Sequence, residues 1–224
     1  MAAMQPLVIA IDGPSGSGKS STSRLVASRL GLAYLDTGSM YRAIALGCMG
    51  AGLVGDGAVD RNGVIGFTTR AKLKLGTDPA APSIALNGVD VTEDIRSPEV
   101  STHVSAVATI PEVRAILTAQ MRHIVAKKKR IVAEGRDITT VVCPDADVRV
   151  LLVADVAARM ARREAQEGGT LSEAQLRDQV VRRDRDDATV SKFEAPAPGV
   201  TLIDSTYMTL EEVADAVIAL VPVG

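Results

Sequence analysis

An eight-residue segment near the amino terminus, GPSGSGKS at residues 13–20, has the composition of a phosphate-binding loop. It matches the pattern G-x-x-x-x-G-K-[ST] at every defined position, and it directly follows the apolar run LVIAID at residues 7–12. Glycines let backbone N–H groups surround phosphate oxygens, and the amino terminus of a following helix adds a partial positive charge. The segment therefore predicts a site for a nucleoside triphosphate between a strand and a helix.

Two side chains of this segment have the chemistry that phosphoryl transfer uses. Lys19 can reach the outer phosphates as a point charge, and the hydroxyl of Ser20 can ligate the Mg²⁺ that accompanies ATP. We therefore predict ATP as the phosphoryl donor and Mg²⁺ as the cofactor. The predicted ATP-binding residues are Gly13, Pro14, Ser15, Gly16, Ser17, Gly18, Lys19, Ser20 and Ser21.

The phosphate loop does not by itself name the acceptor, but other motifs disfavour two common classes of protein. A switch GTPase carries the guanine-reading motif N-K-x-D, which the sequence lacks. A motor or oligomeric ATPase carries an Asp-Glu pair at the end of an apolar strand, whereas residues 150–155 read VLLVAD and Val156 follows. The remaining class is a kinase that transfers the phosphoryl group to a second substrate. Such an enzyme requires a second anion site and a lid that excludes water.

Three arginine-containing segments could form the second anion site. They are LDTGSMYR at residues 35–42, EGRD at residues 134–137 and VVRRDRDD at residues 180–187. Arginine supplies 18 of the 25 basic residues, and its planar fork binds phosphate oxygens in a bidentate way that lysine cannot. Because ligands of open α/β sheets bind outside the carboxyl ends of the strands, we expect the three segments to meet there.

Five short apolar runs predict the strands that must position these segments. They are residues 7–11 (LVIAI), 32–35 (LAYL), 130–133 (RIVA), 148–153 (VRVLLV) and 200–203 (VTLI). Helical patterns separate most of them, including residues 20–30, ended by Gly31, and residues 210–221, opened by a capping box of Thr209 and Glu212. The predicted fold class is α/β: a P-loop parallel five-stranded sheet with helices on both faces.

The composition changes between residues 50 and about 111, where Gly, Pro and polar residues are frequent. Residues 71–76 (AKLKLG) and 83–92 (SIALNGVDVT) have strand character, and Asn87-Gly88 between alternating residues is a strong hairpin signal. We predict a small antiparallel sheet inserted into the parallel domain. The basic run KKKR at residues 127–130 is expected to be a solvated helix end before the third strand.

Length, charge and composition limit the partners. A chain of 224 residues fits one domain with an inserted subdomain, and its core must be aliphatic because Trp is absent and Tyr and Phe are few. The net charge of −2 and the pI near 5.8 give no overall attraction to nucleic acid or to an anionic membrane, so we expect neither as a partner. Cys48 and Cys143 form no CxxC or metal pattern and are expected to be buried thiols in a reducing compartment.

The first residues, MAAMQPLVIAIDG, indicate a cytoplasmic protein. They lack a basic leader region, and Asp12 interrupts their apolar stretch well before the length of a membrane span. Both Met1 and Met4 are compatible with the start of translation.

From about Leu7 to the last helix, the sequence closely resembles the bacterial cytidylate kinases of the nucleoside monophosphate kinase family. The resemblance depends on GPSGSGKS, LDTGSMYR, DIRSPEVS, IPEVR, EGRDITTVVCPDAD and RRDRDD. It implies a single P-loop kinase domain over residues 1–224. This domain would contain an inserted NMP-binding subdomain at about residues 50–111 and a lid region at about residues 157–190.

The resemblance also implies roles for individual residues. Three would bind the acceptor phosphate: Thr37, Arg42 and Arg136. Three would read the cytosine edge: Ser105, Arg114 and Asp137. Two would meet the ribose: Arg183 and Asp187. The catalytic set would be Lys19, Arg42, Arg136 and Arg183. The residue types agree, because arginine forks suit a dianionic phosphate and a carboxylate accepts from the exocyclic amine of cytosine, which uracil lacks.

The sequence departs from the family pattern at two positions. Thr139 stands where the family often has Gly, and Val190 stands where it commonly has a further Arg, with Lys192 as the nearest candidate to replace that charge. Three arginines after Asp155 fit a lid over ATP or a solvated helix face equally well: Arg159, Arg162 and Arg163. His103 and His123 are expected in core or surface roles rather than in catalysis.

The resulting hypothesis is transfer of the γ-phosphoryl group of ATP to CMP or dCMP, giving CDP or dCDP, by a monomer that uses Mg²⁺. One alternative is another small-molecule P-loop kinase with a uridylate, adenylate or non-nucleotide acceptor. A second alternative is a nucleotide-dependent regulatory or nucleic-acid-binding module, which the acidic pI and the scarcity of aromatic residues disfavour.

Overall fold

A computed structural model describes residues 5–55, 57–166, 172, 174, 177–182, 184–185, 189 and 195–222 of the protein. In chain order, the strands of this part are β1 (Leu7–Asp12), β2 (Ala33–Asp36), β3 (Val54–Gly55), β4 (Ala58–Val59), β5 (Leu73–Gly76), β6 (Ser83–Leu86), β7 (Val89–Asp90), β8 (Arg130–Gly135), β9 (Val148–Val153) and β10 (Thr201–Asp204). The α-helices are α1 (Lys19–Leu30), α2 (Thr37–Gly50), α3 (Arg61–Arg70), α4 (Pro98–Ala108), α5 (Pro111–Lys128), α6 (Val156–Gln166) and α7 (Leu210–Ile218). Three short helical turns complete the list: Asp94–Arg96, Ile138–Val142 and Asp178–Arg182.

The central sheet has five strands in the order β10-β9-β1-β8-β2, and every pairing is parallel. The five apolar runs of the sequence therefore form the predicted strands, with ends that differ by at most two residues. β1 lies in the centre between β8 and β9, so the phosphate loop that follows it emerges next to the segment that follows β8. This order brings the phosphate loop and the EGRD segment at residues 134–137 to one edge of the sheet.

Apolar residues cover both faces of the sheet, as the buried strands require. Ile9 and Ile11 of β1 belong to one core cluster, which α1 and α7 cover, while Ala10 belongs to the other, which α2, α4 and α5 cover. Each fully buried isoleucine side chain contributes about 1.5–3 kcal/mol to folding. The prediction of helices on both faces is confirmed.

Helix ends agree with the predicted capping residues. Gly31 ends α1 in the left-handed conformation with φ of 60°, and Thr209 and Glu212 form the complete capping box of α7. α7 ends at Ile218, three residues before the predicted end. The basic run closes α5 and enters β8 through Lys129, as expected for a helix end.

The segment between α2 and α5 contains the predicted antiparallel sheet and two helices that the sequence analysis did not predict. β5, β6 and β7 form a three-stranded antiparallel sheet, and Asn87 and Gly88 make the tight turn between the last two strands with φ of 52° and 90°. α3 has two glycines in its interior, which weaken its helical signal, but the Asp60 cap and the buried Val64 stabilise it. The side chains of this segment share the core cluster of α2 and α5, so it packs directly on the parallel domain.

No helix in the described part of the chain combines the length and the apolar character that crossing a bilayer requires.

Candidate active site

A cavity of about 180 Å³ lies at the carboxyl edge of the central sheet. Its walls come from the phosphate loop, from the start of α2, from the facing parts of α4 and α5, and from the segment that follows β8. Of the predicted site residues, the lining includes Ser15, Gly16, Gly18, Lys19, Ser20, Ser21, Thr37, Arg42, Arg114, Arg136 and Asp137. Tertiary structure therefore brings the phosphate loop and two of the three arginine segments together around one space.

The phosphate loop has the strand–loop–helix context that its motif requires. Gly16 and Gly18 adopt positive φ values of 75° and 88°, which L side chains rarely adopt. A Cβ atom at Gly16 would also lie 2.7 Å from the carbonyl oxygen of Arg159. Lys19 donates a hydrogen bond from Nζ to the carbonyl oxygen of Pro14 at 3.3 Å, so its ammonium group lies across the loop.

The sequence analysis missed two carboxylates that line the same cavity as this lysine. Asp36 ends β2 and Glu134 lies near the end of β8, and the strand register places the two residues directly opposite each other. Both line the cavity with Ser20. The signal was present in the sequence, because each acid stands inside a segment already chosen for its arginine, but only the pairing of β2 with β8 makes them neighbours.

Glu134 is 1% exposed, and the hydroxyl of Tyr34 donates a hydrogen bond to its Oε1 atom. Burial, together with the nearby charge of Asp36, raises the pKa of Glu134 to about 7, against the opposing effects of Lys19 and of the hydroxyls of Tyr34 and Ser20. Its Oε2 atom is buried and has no hydrogen-bond partner among the described residues. A buried oxygen of this kind can accept a hydrogen bond from a bound ligand or coordinate a metal ion.

These oxygens fit the requirements of Mg²⁺. The cation prefers carboxylate, hydroxyl and phosphate oxygens, and it is commonly held by one or two carboxylates together with substrate phosphates. Ser20, Asp36 and the unpartnered Oε2 atom of Glu134 supply such oxygens around one cavity. Within the described ranges, no three His, Cys, Asp or Glu side chains gather into a metal cage.

Arg42 and Thr37 are positioned by neighbouring elements. Arg42 donates from Nη1 to the carbonyl oxygen of Ile95 at 3.1 Å and to the hydroxyl of Ser101 at 2.8 Å, both in the inserted segment. Thr37 donates its hydroxyl to the carbonyl oxygen of Glu134 at 2.7 Å, which joins the start of α2 to the end of β8. Ser101 is thus a further member of the site that its sequence context did not indicate.

Arg136 and Arg159 converge on Asp184. Arg136 donates from Nη1 to Oδ1 of Asp184 at 2.8 Å, the backbone N–H of Ser15 donates to the same atom at 3.0 Å, and Arg159 pairs with Oδ2. Arg159 also donates to the carbonyl oxygen of Ser15 at 3.0 Å. A carboxylate thus interacts with one phosphate-loop N–H group and two guanidinium groups, which are the donors that a phosphoryl group would use.

The contacts of the arginines of α6 argue against the solvated helix face that the sequence left open. Besides Arg159, Arg162 donates to the carbonyl oxygen of Ser17 at 3.3 Å and to Ser205, and Arg163 lines the main cavity. They therefore do not form a solvated face. A second, more apolar cavity of about 280 Å³ lies between Arg162, the phosphate loop and the start of α7.

The residues expected to read the base are only partly assembled around the cavity. Arg114 forms an ion pair with Asp137, donates to the carbonyl oxygen of Ala108 at 3.2 Å, and lies 6.0 Å from the centroid of the Tyr41 ring. Ser105 is buried in α4, where its neighbour Val104 lines the cavity and Ser105 itself does not.

The remaining residues implied by the resemblance cannot be compared with the fold. Arg183, Asp187, Val190 and Lys192 lie outside the described residues.

The departure at Thr139 has a structural explanation. Asp12 accepts hydrogen bonds from the backbone N–H groups of Ile138 and Thr139 at 2.7 and 2.8 Å, and from the hydroxyl of Thr139 at 2.6 Å. Burial raises the pKa of Asp12, and these three bonds oppose the shift. Because Asp12 directly precedes the phosphate loop, the additional hydroxyl of Thr139 strengthens the connection between that loop and the segment that carries Arg136 and Asp137.

Comparisons with known proteins identify the family of the chain. The family model for cytidylate kinase matches residues 9–223. A cytidylate kinase of Cutibacterium acnes is 60% identical over 218 residues, which cover 97% of each chain. One of Nocardia farcinica is 45% identical over 215 residues, which cover 94% of this chain and 91% of the relative. Among solved structures, an uncharacterized protein of Eubacterium ventriosum has a similar fold, with a TM-score of 0.50 at 12% identity over 95% of this chain and 96% of that chain. The chain belongs to the cytidylate kinase family.

Proposed function

We propose that this protein transfers the γ-phosphoryl group of ATP to CMP or dCMP, giving CDP or dCDP. One observation carries the proposal: a single cavity joins the phosphate loop at one end to the Arg114–Asp137 pair at the other. The first can hold the donor phosphates and the second can recognise a base, so the two reacting nucleotides would meet between them.

The donor nucleotide would bind along the phosphate loop. Backbone N–H groups of the loop and Lys19 would contact the phosphates, and the amino terminus of α1 adds a favourable dipole. The apolar cavity beside Arg162 suits the adenine ring, because nucleotide bases bury flat apolar surface and stack on guanidinium groups.

The acceptor would be held by its phosphate and by its base. Arg42 and Arg136 supply guanidinium groups for the phosphate, with Thr37 at the start of α2. Asp137 would accept from the exocyclic amine of cytosine while Arg114 holds the carboxylate in place. In UMP a carbonyl oxygen replaces that amine, so the carboxylate would face another acceptor instead of a donor, which costs about 1–3 kcal/mol.

The transfer itself needs alignment rather than a general base. The acceptor phosphate is already an anionic nucleophile, so the protein must bring it in line with the γ-phosphate and stabilise the charge that develops. Lys19, Arg42, Arg136 and Arg183 are proposed for this task. If a donor and an acceptor were both required to close the site, unproductive hydrolysis would be suppressed.

Magnesium would be held by Ser20 together with Asp36 and Glu134. When bound, it neutralises charge on the phosphate oxygens of ATP. These three side chains line the cavity together with Lys19.

Two regions would move during catalysis. We assign residues 50–111 to acceptor binding, because Ile95 and Ser101 position Arg42. We assign residues 157–190 to a lid, because Arg159 and Arg162 already contact the phosphate loop. Closure of both would exclude water from the transferring group.

We further propose that the protein is a monomer and that it acts in the cytoplasm.

A coupled assay of ADP formation tests this function directly. ATP and Mg²⁺ are supplied with CMP, dCMP, UMP, AMP, GMP or no acceptor. Strong turnover with CMP and dCMP only is expected. Preference for a different acceptor would favour another small-molecule kinase, and equal ADP release without any acceptor would identify a hydrolase or a switch.

A further inference from the structure

Tyr34 is a buried polar residue to which neither the sequence motifs nor the proposed mechanism assigns a role. Its side chain is 3% exposed and belongs to the apolar cluster under α1 and α7. Its hydroxyl donates a hydrogen bond to Oε1 of Glu134.

The strand register explains why these two side chains meet. Tyr34 of β2 is paired with Val132 of β8, and Glu134 lies two residues further along β8. Residues two apart on a strand point to the same face, so Tyr34 and Glu134 are diagonal neighbours on that face. A long aromatic side chain reaches such a diagonal partner, whereas a shorter one would leave Oε1 without a bond.

The bond leaves the two oxygens of Glu134 in different situations. Oε1 is bound to Tyr34, while Oε2 is buried without a partner among the described residues, in a side chain that lines the cavity with Ser20 and Asp36. A carboxylate held at one oxygen cannot rotate freely about its terminal bond. Its second oxygen is therefore presented in a constant direction.

We propose that Tyr34 is a positioning residue, whose hydroxyl orients the carboxylate of Glu134 so that Oε2 can bind the Mg²⁺ that accompanies the nucleotide. The inference depends on the proposed function of the site. Tyr34 lines neither of the two cavities assigned to the nucleotides, so its effect would pass through Glu134. Partners of this kind commonly change metal affinity by about 10- to 100-fold when they are removed.

The substitution Tyr34→Phe removes the hydroxyl and keeps the ring in the core. Tyr207→Phe is the matched control, because Tyr207 is 95% exposed. Binding of Mn²⁺ to the protein with ADP, followed by electron paramagnetic resonance, measures metal affinity without turnover. About a 10-fold loss is expected for Tyr34→Phe and none for Tyr207→Phe. Unchanged affinity in a folded Tyr34→Phe protein would overturn the proposal.

A double-mutant cycle separates positioning from a general effect on stability. Glu134→Gln should weaken Mn²⁺ binding on its own, and adding Tyr34→Phe to it should cause less than about a 2-fold further loss, because the positioned group is already gone. Two losses that multiply would mean that Tyr34 acts independently of Glu134 and would contradict the inference. If the double variant does not fold, the single variant Tyr34→Phe still tests the proposal. Its Mg²⁺ concentration for half-maximal activity should rise, whereas its KM for CMP should stay the same.

The outcomes also distinguish this inference from the proposed function. Wild-type protein that binds Mn²⁺ and ADP but does not phosphorylate CMP would refute the function, and the Mn²⁺ measurements would still test the role of Tyr34. Wild-type protein that phosphorylates CMP, with equal Mn²⁺ affinity in the Tyr34→Phe variant, would refute only the positioning role.

Discussion

The guanidinium group of Arg114 and the carboxylate of Asp137 form an ion pair whose side chains are only 17% and 11% exposed. The partners come from different elements, since Arg114 lies in the first turn of α5 and Asp137 follows β8. Little water reaches the pair, so removal of one partner leaves the other charge poorly compensated. The same low exposure makes the pair sensitive to the hydrogen-bonding edge of a base placed against it.

The first prediction concerns base recognition. In Asp137→Asn the amide can turn to accept from cytosine or to donate to uracil, so the preference for CMP over UMP should fall by about 10- to 100-fold in kcat/KM. Binding of ATP, measured by calorimetry, should not change. Asp145→Asn, at an exposed position in the loop before β9, is the control and should keep the preference. Full discrimination in Asp137→Asn would remove Asp137 from the base-reading site.

The second prediction concerns the support of Arg42. Ser101→Ala removes the hydroxyl that accepts its 2.8 Å hydrogen bond, and a bond to a charged group contributes about 1.5–3 kcal/mol. The KM for CMP should rise by about 10-fold, while the KM for ATP stays the same. Thr102→Ala alters the exposed neighbour on the same helix, whose hydroxyl donates to the carbonyl oxygen of Pro98, and it should change neither constant. A rise in both KM values would indicate a disturbed fold instead.

The third prediction concerns the phosphate loop. Lys19→Ala removes the ammonium group that lies across the loop, and kcat for CMP phosphorylation should fall by about 100-fold or more, because a preorganised charge near the transferring group is lost. Steady-state kinetics measures this, with Lys127→Ala at the end of α5 as the control. Activity within a few-fold of the wild type would show that the loop does not serve the reaction.

The fourth prediction concerns the link between Asp12 and Thr139. Thr139→Val deletes a buried hydroxyl that donates to Asp12 at 2.6 Å, and it should lower the free energy of unfolding by about 1–3 kcal/mol. Thr140→Val changes the exposed neighbour and should have little effect. Urea denaturation followed by circular dichroism compares the two variants. Equal stabilities would mean that the Thr139 hydroxyl contributes nothing to the link.

The fifth prediction concerns the thiols, which are both free and buried, as the sequence analysis expected. Burial raises the pKa of Cys48 and of Cys143 to about 11 from the ordinary 9.0. Only the thiolate reacts with disulfide reagents, so native protein at pH 8 should react slowly and unfolded protein quickly. Because the folded pKa is the higher one, folding also loses stability as pH rises from 9.0 to about 11. Rapid labelling of the native protein at pH 8 would contradict this.

The local parts of the site could be predicted because each depends on neighbouring residues. The glycines and Lys19 of the phosphate loop stand in one short segment, and the apolar runs on either side of it predict a strand and a helix from periodicity alone. Asn87-Gly88 predicts its turn for the same reason, since the required positive φ values depend on residue type. α3 escaped prediction because its stability depends on the burial of Val64 against other elements, while its glycines weaken the local signal.

The sequence by itself determined which groups are available: a loop of backbone N–H donors, an excess of arginine, and carboxylates at the ends of apolar runs. Only tertiary structure decided which of them meet. The pairing of β2 with β8 places Asp36 opposite Glu134 and Tyr34 diagonal to it, and the packing of α6 brings Arg159 onto the phosphate loop. These contacts join residues far apart in the chain, and their formation depends on burying the two apolar faces of one sheet rather than on any short-range pattern.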